Sequence, residues 1–447
     1  MSIFRWLTLL LTLLVCGCSK EYLVWYGHSP DRLHRVEVIE KDKRQQLKLD
    51  ATLSQPYLGV ALETIVFSED SQRFAYAAKT DAGWIVTVDG VHSRPWTGIG
   101  EVLFGPGQQL AYVAPDLGGW QVVREGVPSA PFEAVMQGSL TFSPDGCFLA
   151  FVIAEGNQCR VVVKGELGPL YEGIGALRFG PDSQQLAYIV RKGGHQYLAL
   201  GDRLLGPFNA IADFTLGPNG RLGMLVRSDD GWRALIDGQE SEVFDNFSSI
   251  QFSQGGQYAY AAERDGHWFI IRDGERSLAF SSVGQLTFAA ELLFYKASWD
   301  SHYFVVADTL RGPSLEWVGR LIVSPDGLHL AYMGQPWGRS VSVFYDGVVM
   351  DVPRAISGTL VLSNDSQHWA CLVQDEREGG IDIIIDGQFR HPFDLEEMMA
   401  RIMLTPDASS SEYEKMIRRW VKADLEAYYA NVALTQSFPM SKHTPRK

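Results

Sequence analysis

His195, His267 and His302 each stand in a short polar loop, where an imidazole could ligate a metal or move a proton. They fall in three separate segments, so one shared site would need all three brought to a common rim, and turn histidines are the simpler reading. Asp145, Asp182 and Asp326 follow a proline in turn sequences. Each turn supplies one carboxylate where a calcium ion wants about six oxygens, so these residues are read as caps of their own turns. No HExxH, CxxC or GxSxG occurs, and no glycine-rich loop with a lysine precedes a helix. No cofactor and no metal is expected from these residues. A quinone-dependent dehydrogenase would need a dense ligand set that the chain does not show.

The elements that position these residues repeat. The last apolar residue before each turn falls at Phe67, Phe104, Phe142, Phe179, Leu216, Phe252, Phe288, Val323 and Leu362, at spacings of 35 to 39 residues. The fullest copies read FSPDGCFLAFVI from Phe142 and FGPDSQQLAYIV from Phe179. Runs such as LAYIV, YLALGD and AIADFTL are four to seven residues long, rich in β-branched and aromatic residues, and bounded by Gly, Pro, Asp or Asn. They predict four strands per unit. DG pairs at Asp89, Asp237, Asp273, Asp346 and Asp386 supply the hairpin turns. The stretch from Phe288 to Gly327 is the weakest copy, with AAEL where the polar turn belongs.

Two aromatic series run through the units. Trp84, Trp120, Trp232 and Trp268 begin third strands, and Trp96, Phe132, Tyr171, Phe208, Phe244, Phe280 and Phe393 follow the DG turns. A repeat position suits packing between neighbouring units; the tryptophans could instead rim one face and bind a peptide or glycan. The loops between second and third strands read TDAG, DLGG, EGNQ, RKGGH, SDDG, RDGH, SWDSH, QPWG and DEREGG. They vary where the turns do not, which marks their face for partner recognition, with Asp116, Asp230 and Glu376 as candidate contacts.

The phrase FSPDG followed by LAY resembles the TolB-like, WD-like propeller repeat over roughly residues 22 to 405. That resemblance implies an all-β fold, a β-propeller of about ten four-stranded units. In such a blade the innermost strand precedes the SPDG turn and the LAY strand is second. On this frame Met399 to Thr405 repeats the inner strand, while Tyr22 to Gly27, His34 to Ile39 and Gln45 to Asp50 match the second, third and outer strands. The N- and C-terminal strands are therefore expected to share one blade and close the ring. One wide ring and two smaller propellers both satisfy the count. The resemblance says little about activity.

The termini differ from the body. Arg5, the apolar run LTLLLTLLV and the tetrad Val15, Cys16, Gly17, Cys18 resemble a bacterial lipoprotein signal over residues 1–17, with Cys18 lipidated and Ser19 directing the product to the outer membrane. Losing Arg5 with that leader takes the net charge from −14 to −15, and without a basic patch nucleic acid is a poor partner. Cys147, Cys159 and Cys371 are expected as buried thiols without a disulfide framework. The repeat body spans 18–408. From 409 to 435, Ser409 with Glu412 forms a capping box. Tyr413, Met416, Ile417, Trp420, Tyr428 and Val432 recur at helical spacing, predicting an amphipathic helix that packs on the body or docks a partner through Trp420. A polar tail fills 436–447. The expected function is a lipid-anchored envelope scaffold holding another envelope or membrane protein. The alternatives are a hydrolase or lyase at the propeller mouth and a peptide or glycan sensor.

Overall fold

The second strand of each repeat carries an unbroken apolar run, such as FAYAA at 74–78, LAYVA at 110–114 and LAFVI at 149–153. A strand covered on one face alternates apolar and polar residues; a strand covered on both has no polar face to show. The computed structural model describes residues 21–30, 34–289, 291–374, 381–387, 389–392, 418 and 421–422. In it every residue of these three runs is buried. Alternate side chains part to opposite sides. Phe74, Tyr76 and Ala78 join a cluster with Val36, Val38 and Leu47 of the preceding repeat, while Ala75 and Ala77 join Leu110, Tyr112 and Ala114 of the following one.

Around this strand the chain lays three others, antiparallel and hydrogen-bonded in chain order. In the second repeat they are Gly59–Phe67, Phe74–Thr80, Gly83–Val88 and Val91–His92. The turn between the third and fourth strands places Asp89 at φ 50° and Gly90 at φ 84°, the left-handed pair that lets two residues join twisted strands. Ten such repeats follow one another at 22–53, 59–92, 102–128, 134–167, 173–208, 210–240, 246–276, 282–311, 315–351 and 361–392. Eight form separate sheets, and the eighth and ninth share one through the pairing of Tyr303 with Leu315. Among the described residues nine apolar clusters make the core, each built by two successive repeats.

The closed propeller expected from the sequence is not the arrangement found. Among the described residues no sheet closes on itself, the first and last sheets share no strand, and no apolar cluster joins the tenth repeat to the first. The reason lies in the first repeat. Tyr22–His28 is its first strand, not its second, and Arg35–Lys41, Arg44–Leu49 and Thr52–Leu53 complete it. Ser29, Pro30 and Asp31 form a further copy of the turn sequence, 39 residues before its next occurrence. The Ser29 N–H donates to the His34 carbonyl at 2.9 Å, as Ser143 does to Phe148 at 2.9 Å. The tenth repeat likewise has its own four strands, Val361–Leu362, Trp369–Gln374, Ile381–Ile385 and Phe389–Pro392. Neither terminal repeat lacks a strand for the other to lend. Met399 to Thr405 lies outside the described residues.

The weakest copy, after Phe288, is a full repeat. Its Glu291 accepts the Ser253 hydroxyl at 2.6 Å and the Gly255 N–H at 2.7 Å, so a carboxylate does the stitching that a polar turn does elsewhere. The described cysteines are free thiols; Cys371 is buried and Cys159 half-buried, but Cys147, expected inside, is exposed because it follows the turn rather than entering the strand. Of the amphipathic helix expected over 409–435, only Arg418, Val421 and Lys422 are described. They are helical, Val421 is buried, and Arg418 donates to the Gly358 carbonyl at 3.4 Å.

Candidate functional site

Each sheet has two ends, and one of them is consumed by its own architecture. The aspartate of the third turn accepts the backbone N–H that opens the second strand: Asp89 from Phe74 at 2.8 Å, Asp237 from Leu222 at 2.8 Å, Asp346 from Leu330 at 2.9 Å. Its second oxygen takes a cation or an imidazole, Arg73 at 2.9 Å on Asp89 and His329 at 2.6 Å on Asp346. The aspartates of the first turn cap it from within. Asp145 accepts the Ser143 hydroxyl at 2.6 Å and the Cys147 N–H at 2.8 Å, and Asp182 accepts the Gln184 N–H at 2.9 Å. These contacts hold Asp145 below the usual carboxylate range, the serine hydroxyl first and the backbone N–H second.

The opposite end carries the loops between second and third strands together with the links into the next repeat. The tryptophans singled out by sequence stand at its edge, one per repeat and never together. Trp84 exchanges backbone hydrogen bonds with Trp96 at 2.9 and 2.7 Å, Trp120 with Phe132 at 2.8 Å in each direction, and Trp268 with Phe280 at 3.0 and 2.8 Å, while Phe244 donates to Trp232 at 3.1 Å. The two aromatic series are thus partners across one strand pair. All four tryptophans are half-buried, and Trp84, Trp120 and Trp268 lie against the apolar clusters between repeats.

The candidate acidic contacts have cationic partners of their own. Asp116 meets Arg94, in the link from the preceding repeat, at 2.7 Å, and that guanidinium also lies 3.6 Å from the centre of the Trp96 ring. Asp230 pairs with Arg233 across its own turn. Both carboxyls are held low, each chiefly by its arginine. Glu376 and Trp420 lie outside the described residues, as do Cys18 and Phe393.

The sequence singled out His267, His302 and the loops SWDSH and QPWG at repeats seven to nine, but not the tryptophans in those loops. Trp299 and Trp337 are about half exposed, at 49% and 53%, and Tyr303 is exposed beside them. The two-residue turn at Asp300 and Ser301, with φ 48° and 64°, pairs Trp299 with His302 and Ser298 with Tyr303 across the hairpin. The His302 ring lies 5.1 Å from that of Trp337 in the next repeat, tilted by 40°. Toward the preceding repeat, Trp299 and Asp300 face Gly266, His267 and Ser281 across an open depression of about 390 Å³. SWDSH and QPWG could have signalled this patch; what hid it was that Trp299 ends its second strand and Trp337 follows its own, so both precede the third-strand position of the repeated tryptophans, which Tyr303 takes in repeat eight.

Two other hollows lie along first strands. One of about 370 Å³ in repeat five is lined by Gly173, Gly175, Ile189 and Arg191. The other, of about 260 Å³ between repeats nine and ten, is lined by Ile322, Leu360, Arg320, Arg418 and Lys422. Nearby, burial and then the charge of Arg320 push the Lys296 ammonium below its ordinary range. Among the described residues no group of three or more His, Cys, Asp or Glu is placed to hold a metal, and no helix is long and apolar enough to cross a membrane.

No family profile matches the chain, and no curated protein matches it. Among solved structures it has a weak, low-identity resemblance to several β-propeller proteins. A structure of the eukaryotic initiation factor aligns with 72% of this chain and 96% of its own at 14% identity and a TM-score of 0.40. The β-propeller domain of the Trilobed protease from Pyrococcus furiosus aligns with 57% of this chain and 94% of its own at 14% identity and TM-score 0.29. The dihydro-heme d1 dehydrogenase NirN aligns with 59% of this chain and 68% of its own at 12% identity and TM-score 0.32.

Proposed function

We propose that this chain is a lipid-anchored envelope protein whose repeat array is a docking scaffold for another envelope protein. One observation carries the reading. The polar groups of the turn end are spent on internal hydrogen bonds, while the loop end carries the two most exposed large apolar residues among those described, Leu117 at 97% in a variable loop and Leu278 at 85% in a link to the next repeat. Exposed large apolar side chains on variable loops are what an interface uses. The segment Val15 to Cys18 supports the anchor, and only three residues separate Cys18 from the first strand at Tyr22, a reach of about 10 Å that would hold the array close to the bilayer surface.

Two experiments test this. Metabolic labelling with palmitate should mark the wild-type protein and not Cys18→Ser; label on the variant would remove the anchor. Crosslinking in intact cells should give a defined adduct that Leu117→Asp with Leu278→Asp abolishes. Val91→Asp, at the fourth-strand edge and 72% exposed, should leave it intact. An adduct indifferent to the loop substitutions would overturn the docking surface.

A further inference from the structure

We propose that the loop end of repeats seven to nine is a carbohydrate-binding platform, taking an uncharged glycan chain across Trp299 and Trp337. The residues alternate in kind along three successive repeats: His267, Trp299, His302, Trp337. The flat face of an indole accepts the C–H face of a pyranose ring, and the hydroxyls around that ring need donors and acceptors at its edge. Both are present. Trp299 forms the apolar wall of the depression of about 390 Å³, and its other lining residues are Gly266, His267, Ser281 and Asp300. That volume lies at the small end of the roughly 300–1,000 Å³ of small-molecule sites.

The histidines are set for this role by the backbone. His302 Nδ1 lies 2.7 Å from the Asp300 carbonyl oxygen and His267 Nδ1 lies 3.0 Å from that of Asp265. A carbonyl only accepts, so each Nδ1 carries the proton and donates, which leaves Nε2 of the neutral ring as an acceptor for a hydroxyl. The turn at Asp300 and Ser301 is a tight two-residue hairpin, and the His302 ring is braced by Trp337 from the next repeat. The turn, both histidines and the ring pair of His302 with Trp337 thus have contacts of their own before any ligand arrives, which lowers the ordering cost of binding.

Other ligand classes fit less well. A peptide adding as a strand needs a free edge, but here the third strand of repeat eight is already paired with repeat nine at Tyr303 and Leu315. A peptide anchored by side chains needs an apolar pocket, and this depression has one apolar wall. Single-stranded nucleic acid also stacks on aromatics, but needs cations along its backbone, and no Lys or Arg lines the depression.

Calorimetric titration of the full chain with chitohexaose, cellohexaose and maltohexaose tests the proposal. At least one should bind, and Trp299→Ala and Trp337→Ala should each weaken it by about two- to tenfold, the scale of one lost aromatic stacking contact. Both side chains are half exposed, so the melting temperature should stay put; His302→Gln, which keeps a polar group, should lose less. Binding by none of the three, or binding that survives both tryptophan substitutions, would overturn it. So would loss of a protein crosslink in these variants without any saccharide binding, which would make the patch a protein contact.

Discussion

At the scale of single residues, the turn aspartates tie this protein's stability to pH. Asp70, Asp145, Asp326 and Asp365 are each held below the ordinary value of 3.8, first by a serine hydroxyl and then by a backbone N–H. A carboxyl depressed in the folded state contributes stability above its unfolded value and loses it as pH falls through the folded one. Thermal melts should therefore drop below about pH 4. A variant carrying Asn at all four positions should melt lower at neutral pH and show a shallower acid decline; an unchanged acid slope would refute the linkage. The capping role of Asp145 and Asp326 was legible in the sequence because the partner lies within the same turn. The pairing of Asp116 was not, because Arg94 stands 22 residues earlier, in the link between repeats, and meets it only once that link folds along the third repeat. The contact of His302 with Trp337 was hidden for the same reason.

At the scale of elements, the first turns show how one repeat is keyed to the next. Gly105 has ordinary extended geometry, yet a Cβ there would come within 2.4 Å of the Phe142 ring in the following repeat, and one at Gly217 within 2.6 Å of Phe252. Serine holds the equivalent place in other copies, as at Ser143 and Ser324, where the hydroxyl caps the turn instead. Gly105→Ala should cost about 1–3 kcal/mol through displacement of that ring. Phe142→Leu should be less costly in the Gly105→Ala background than alone, read from urea denaturation midpoints as a coupling between the two sites. Strand number and turn type were legible because each turn spells its own backbone, with Asp89, Asp237 and Asp346 all at positive φ. The phase of the first repeat was not, because His28 stands where the other copies have Phe, Leu or Val, so the turn at Ser29 carried no apolar marker.

At the scale of the whole molecule, the repeats depend on their neighbours and not on a shared strand. Removing residues 22–58 should leave the remaining nine repeats folded, with β-type circular dichroism and a cooperative but lower melt. Loss of protection from hydrogen exchange should be confined to the second repeat, where Phe74 and Tyr76 lose the cover of Val36 and Val38. Collapse of the whole chain would show that the first repeat closes something after all. The self-contained first sheet also has a mechanical meaning for a chain tethered at Cys18. On the proposed tether, tension from the membrane would enter at Tyr22, whose strand has Arg35–Lys41 as its one hydrogen-bonded neighbour among the described residues. Such a chain yields one repeat at a time from the tethered side. Each step would release about 37 residues, on the order of 120 Å of contour, so the proposed scaffold would lengthen under load while its far repeats stay folded.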